Sequence, residues 1–288
     1  MVRSLLRLAH MAVGHPLTVF FTLAYAISWL VFMPIIVWHA RIQLIAAASF
    51  GPTVAALITH RLSAGDYRAF RFHWRKPRTL VATAAGAVLI ILAYVVVPAL
   101  VLADPRTLNW SILTSFTVYN YSTLLGGPLG EEPGWRGYAL PRLEARLGAV
   151  RASLVLGLLW TGWHLPLFLI AGWESLPLWS YGLVLIGMSL IMTTCVNMAR
   201  FSVITAIVMH AAFNTVTRFL NGLFAGTAPR ANLPFELVFP MSGFLVAVVL
   251  VVMTRGHLSY HRDAYLGDVA IAAQRCTRRP HAILSGRG

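Results

Sequence analysis

Charge is what this sequence has least of. Only 11% of its 288 residues are charged, where a soluble globular domain carries about 25%. Hydrophobic residues make up 58%, and the mean hydropathy is +0.72. Water cannot be the solvent for that much apolar surface, so a soluble domain is excluded. Acids are scarcer than bases: nine Asp and Glu stand against 23 Lys and Arg, for a net charge of +14. A basic balance can mark nucleic-acid binding. Here it has a topological account, because Arg and Lys gather on the cytoplasmic side of membrane proteins and face anionic lipid. Membrane lipid is therefore an expected partner, and nucleic acid is not. Cysteine is nearly absent. Cys195 lies in an apolar run and Cys276 in a polar tail, which gives neither a disulfide framework nor a metal-binding spacing.

Long apolar runs are what the chain does have. A membrane-crossing helix needs about 20 such residues. Candidates are Leu17–Trp38, Ile42–Thr59, Leu80–Leu102, Ser111–Leu129, Ala152–Ile170, Trp179–Ala199, Ser202–Leu220 and Phe235–Thr254. The first is too long for a signal-peptide core and is expected to be retained. The second is broken by Gly51 and Pro52. The expectation is an all-α polytopic membrane protein of about eight transmembrane helices. Residues 1–16 would form an N-terminal cytoplasmic segment, 17–255 the membrane domain and 256–288 a basic cytoplasmic tail.

Charge placement supports both termini being cytoplasmic. On that topology nineteen Arg and Lys residues fall in inner segments, and only Arg41, Arg106 and Arg230 fall outside. That is a strong positive-inside bias. The stretch Tyr138–Arg151 sets Leu140, Leu143 and Leu147 at helical spacing among arginines, and is expected as a short amphipathic helix on the inner surface.

Ionisable groups within a membrane are costly and need a reason, structural or functional. Glu131 and Glu132 follow an apolar run directly. Glu132 and Arg136 are four apart and can pair across one helical turn, with Glu131 turned about 100° away. That geometry leaves one carboxylate held ionised and the other free for acid–base work. Pro133 points to a break, or to a helix start, at this position. His164 lies in another span. His210 and Asn214, four apart, lie on one face of a third. Each has a plain structural reading: an interfacial ion pair, a packed histidine, and a polar stripe tying two helices together. Together they offer a base, histidines able to shuttle protons or bind metal, and donors for an oxyanion.

The segments GEEPGWRGYALPRLE, WTGWH and HAAFN, in that order, resemble the three motifs of the CPBP family, the CAAX-protease-and-bacteriocin-processing or Abi family. The similar region, the motif core, runs over 111–218. Trp160 stands where the family more usually has phenylalanine, an exchange expected to preserve bulk without disturbing His164.

The resemblance implies a helical membrane endopeptidase. In it, Glu131 activates water with help from His164, His210 and Asn214 stabilise the oxyanion, and Glu132 and Arg136 shape the site. Glu131, His164 and His210 would also make a His₂Glu zinc set, so zinc is weighed as a cofactor against a metal-free glutamate mechanism, which is preferred. The expected substrate is a membrane-associated peptide or protein, prenylated in the family's eukaryotic branch. The preference for Arg over Lys, 22 to one, points to a bacterial plasma membrane. The competing readings are a non-catalytic bacteriocin-immunity type of binding protein and a proton-coupled transporter.

Overall fold

A computed structural model describes residues 11–39, 44–64, 77–102, 108–109, 111, 127–170, 176–223 and 234–261. All regular structure among them is helical. In chain order the helices are α1 (Pro16–Trp38), α2 (Leu44–Ala48), α3 (Gly51–Ala64), α4 (Pro77–Ile91) and α5 (Val97–Leu102). Then come α6 (Pro128–Glu132), α7 (Leu140–Leu147), α8 (Ala149–Trp163), α9 (Leu178–Met198), α10 (Val203–Leu223) and α11 (Phe235–Met253). A π-helical turn, Leu92–Val96, joins α4 to α5, and a second, Pro133–Ala139, joins α6 to α7.

Among the described residues, six helical stretches are long and apolar enough to cross a membrane: Pro16–Trp38, Pro77–Leu102, Ala149–Leu169, Leu178–Met198, Val203–Leu220 and Phe235–Met253. These coincide with six of the eight expected spans. The second is instead two short helices, α2 and α3, because Gly51 and Pro52 start a new helix rather than continue the old one. Nearly all of the fourth, Ser111–Leu129, lies outside the described residues, as do residues 1–10 and the tail from 262 onward.

The central helix is α9. About 72% of its apolar window is buried, against 28–44% for the other five. Its small residues allow this. Gly187 faces Gly243 of α11 closely enough for Tyr94 to wedge beside both, its hydroxyl donating to the Val184 carbonyl at 3.2 Å. Small residues at helix crossings are the usual route to close packing in lipid. Helix α1 is held to α8 at mid-length, where the Tyr25 hydroxyl donates to the Leu159 carbonyl and Trp29 Nε1 to the Trp163 carbonyl at 3.1 Å.

The run from Pro128 to Leu147 departs from expectation. It is one continuous helical path and not a span end followed by a detached surface helix. Leu140, Leu143 and Glu144 are buried, and the path ends at Gly148, whose φ of 75° only glycine adopts freely. Arg151 already belongs to α8. Pro133 does not break the path: Glu132 before it is right-handed helical at φ −65° and ψ −34°. Lacking an N–H for the α-helical ladder, Pro133 instead opens the π segment. Two glycines let α3 press against this run. A Cβ on Gly130 would meet the Ser49 carbonyl oxygen at 2.6 Å, and one on Gly134 the Pro52 backbone at 2.5 Å. Thr53 Oγ1 donates to the Gly130 carbonyl at 2.6 Å.

Candidate active site

Three helical elements bring the motif residues together. The α6–α7 run supplies Glu131, Glu132 and Arg136. Helix α8 supplies Trp160 and its C-terminal neighbour His164, and α10 supplies His210. All six are buried. Glu131 lies in the first turn of α6, against Trp160 near the C-terminal end of α8.

The two adjacent glutamates have different surroundings. Glu132 Oε1 accepts from Arg136 Nη1 at 3.0 Å and from His210 Nδ1 at 2.7 Å. The i,i+4 pair read from the sequence is therefore present, and a histidine joins it. Glu131 Oε2 accepts from Trp160 Nε1 at 2.6 Å. The guanidinium carbon of Arg136 stands 4.1 Å from the centre of the Trp160 ring, a cation–π contact. Trp160 thus links the two halves of the site, and phenylalanine would supply only the ring. The view of Trp160 as a matter of bulk missed its N–H.

Hydrogen bonding fixes which histidine nitrogen is presented. Nδ1 of His210 faces a carboxylate oxygen, so it donates, and Nε2 is the atom offered to the site. Nδ1 of His164 lies 2.8 Å from the Trp160 carbonyl oxygen, which can only accept. His164 therefore also offers Nε2. Its ring stands edge-on to Trp163 and Tyr181, with ring centres 4.7 and 5.4 Å away.

These groups gather against Gly127. The Cβ that Gly127 lacks would lie 3.2 Å from Glu131 Oε1 and 3.4 Å from both His210 Nε2 and Asn214 Nδ2. A carboxylate oxygen, an imidazole nitrogen and an amide nitrogen thus crowd one glycine, and a side chain there would press on all three. Gly127 and Tyr181 escaped the sequence reading; the only signal for Gly127 was its place four residues before Glu131. Glu132 Oε2 and Arg136 Nε and Nη2 are buried with no hydrogen-bond partner among the described residues, an exception to the usual pairing of buried polar atoms.

The fit to zinc is incomplete. Among the described residues, no three His, Cys, Asp or Glu side chains form a metal-holding group. The third group gathered against Gly127 is an amide nitrogen, a donor that cannot ligate a cation, and one oxygen of Glu131 is engaged by an indole N–H.

Twelve residues beyond Glu132 on the same run, at its far end, sits another buried carboxylate. Glu144 Oε1 accepts from Asn197 Nδ2 at 2.7 Å, and the same amide nitrogen donates to the Leu258 carbonyl at 3.0 Å. Desolvation lifts its pKa to about 8, against a smaller lowering by the Asn197 bond.

Comparison with known proteins agrees with the motif resemblance. Residues 84–216 match the family model described as type II CAAX prenyl endopeptidase Rce1-like. A protein named CAAX prenyl protease 2 from Methanococcus maripaludis is 32% identical over 114 residues, covering 37% of this chain and 42% of that relative. The matched region thus spans less than half of the relative's length. The family-model match, 84–216, contains all three motifs.

Proposed function

Because residues 84–216 match the type II CAAX prenyl endopeptidase model, we propose that the chain is a member of the CPBP family of CAAX-type proteases and an intramembrane endopeptidase. It hydrolyses a peptide bond of a membrane-associated peptide or protein with water activated by Glu131. The observation that carries this reading is the gathering of Glu131 Oε1, His210 Nε2 and Asn214 Nδ2 against Gly127.

In this mechanism a water bound to Glu131 Oε1 gives it a proton as the water oxygen attacks the scissile carbonyl carbon. The carbonyl oxygen becomes an oxyanion and takes hydrogen bonds from the Asn214 amide and from protonated His210 Nε2. Glu131 then passes its proton to the leaving amine as the C–N bond breaks. The Trp160 N–H holds Glu131 in place through its other oxygen. Glu132, anchored by Arg136, orients His210. His164 offers Nε2 as an auxiliary proton carrier. The route is written without an obligatory metal, which the donor set favours. Loss of activity in a strong chelator, restored by zinc, would overturn that part.

The setting is a multi-pass membrane protein, and we place it in a bacterial plasma membrane on its Arg-rich, Lys-poor usage. Short membrane-tethered peptide precursors suit that setting better than prenylated tails. The test is cleavage of a quenched-fluorescence peptide library, farnesylated members included, by detergent-purified protein. Wild type is expected to cut, with Glu131→Ala and His164→Ala both inactive yet folded. A wild type that cuts nothing, or variants that cut as well, would sink the protease reading in favour of a binding role.

A further inference from the structure

The inner end of the central helix borders a second polar cavity, remote in sequence from the three motifs. It has a volume of about 380 Å³ and is lined by Arg78, Asn197, Met198, Arg200, Phe201, Ser259 and His261. Three separate segments contribute: the start of α4, the α9–α10 turn and the stretch after α11. Every described residue that brings it a formal charge is basic. Neither Arg78 nor Arg200 forms an ion pair among the described residues, and both are exposed. Arg78 is the second residue of α4, and Arg200 and Phe201 closely precede α10, so two helix N-termini lie at the rim, where partial positive charge favours anions. Asn197 is 7% exposed, its amide nitrogen bonded to Glu144 and to the Leu258 carbonyl. Two unpaired arginines at a cavity with no acidic lining among the described residues suit a ligand with an anionic group.

We infer that this cavity binds the phosphate group of an anionic headgroup. The guanidinium groups of Arg78 and Arg200 take the phosphate oxygens, which arginine matches in geometry. His261 and Ser259 complete the rim. The nearby carboxyl of Glu144 does not oppose an anion, since burial keeps it protonated at neutral pH. The positive-inside bias puts all these residues on the cytoplasmic face. An inner-leaflet anionic phospholipid and a soluble phosphate ester share the required chemistry.

Delipidated full-length protein in detergent is titrated with phosphatidylglycerol, phosphatidylcholine, glycerol 3-phosphate and inorganic phosphate, with retention read by native mass spectrometry and by the thermal midpoint. The wild type is expected to bind phosphatidylglycerol, and Arg78→Gln/Arg200→Asn to bind it at least tenfold more weakly with an unchanged ligand-free midpoint. Asparagine is chosen because Arg200 has a φ of 53°, a left-handed conformation that Asn tolerates. Arg78→Gln alone, at an exposed position, serves if the pair lowers the midpoint. Equal binding of glycerol 3-phosphate assigns the site to soluble esters, and phosphatidylglycerol binding that it cannot displace assigns it to lipid. Equal retention of phosphatidylcholine, or equal binding by wild type and variants, overturns the inference.

Discussion

Glu132 and Glu144 lie on one helical run, both almost wholly buried, yet their partners differ in kind. Glu132 accepts from a guanidinium and an imidazole, Glu144 from a carboxamide. A buried carboxylate next to a cation can remain charged. One next to an amide lowers its desolvation cost by keeping its proton. The first arrangement holds polar machinery in a fixed pose. The second ties the end of the run to α9 and to the backbone at Leu258 without placing a net charge there. Each glutamate is buried and hydrogen-bonded, and only the charge of its partner separates the two roles.

The sharpest way to break this contrast is to truncate each residue. Glu132→Ala strands the buried Arg136 cation and is expected to destabilise the protein by about 3–5 kcal/mol. Glu144→Gln, a substitution of neutral for neutral at pH 6, should cost far less. Thermal midpoints of the two variants at that pH decide it, and equal losses would refute the distinction.

A second test separates the polar cluster from the packing around it. Gly127→Ala presses a methyl group on Glu131, His210 and Asn214, with contacts of 3.2–3.4 Å that the side chains can meet by small shifts. Peptidase activity should fall about a hundredfold, the scale of losing a well-placed oxyanion donor, while the midpoint holds. Unchanged activity would move the reactive water elsewhere. Trp160→Phe probes the indole N–H alone: about a tenfold loss in kcat with little change in KM is expected, as for one neutral donor of about 1 kcal/mol. Full activity would return Trp160 to a packing role.

The smallest effect is a pH dependence. Glu144 is raised from its ordinary value to about 8 in the fold. Its stabilising contribution is complete below the unfolded value and is lost as pH rises through about 8. The wild-type midpoint should therefore drop between pH 6 and pH 9 by more than that of Glu144→Gln. Parallel curves would show that Glu144 is not the group responsible.

Much of the membrane architecture was legible because hydropathy and length act locally. Six apolar runs became six helices within a few residues of their expected ends. The Glu132–Arg136 pair and the shared face of His210 and Asn214 were legible too, since four-residue spacing is a property of one helix. What stayed hidden depended on contacts between segments. Nothing local says that His210 turns its Nδ1 to Glu132 or that Trp160 donates to Glu131. Nor does it say that those groups gather against Gly127. The surface-helix expectation for Tyr138–Arg151 held in part: a short amphipathic helix forms over Leu140–Leu147 with Ala145, Arg146 and Leu147 exposed, but Leu140, Leu143 and Glu144 are covered by other elements.

The pressing of α3 against Gly130 and Gly134 has a consequence for the bilayer itself. The 14 described residues of α3 span about 21 Å, against a hydrocarbon layer of about 30 Å. The α2–α3 break at Ser49 and Phe50 packs against Gly130, one residue from Glu131. A break in the helical wall at that level interrupts the apolar barrier beside the buried carboxylate, so thinning of the bilayer there would bring headgroups and water nearer to it. Activity is then expected to depend on the acyl-chain length of the surrounding membrane.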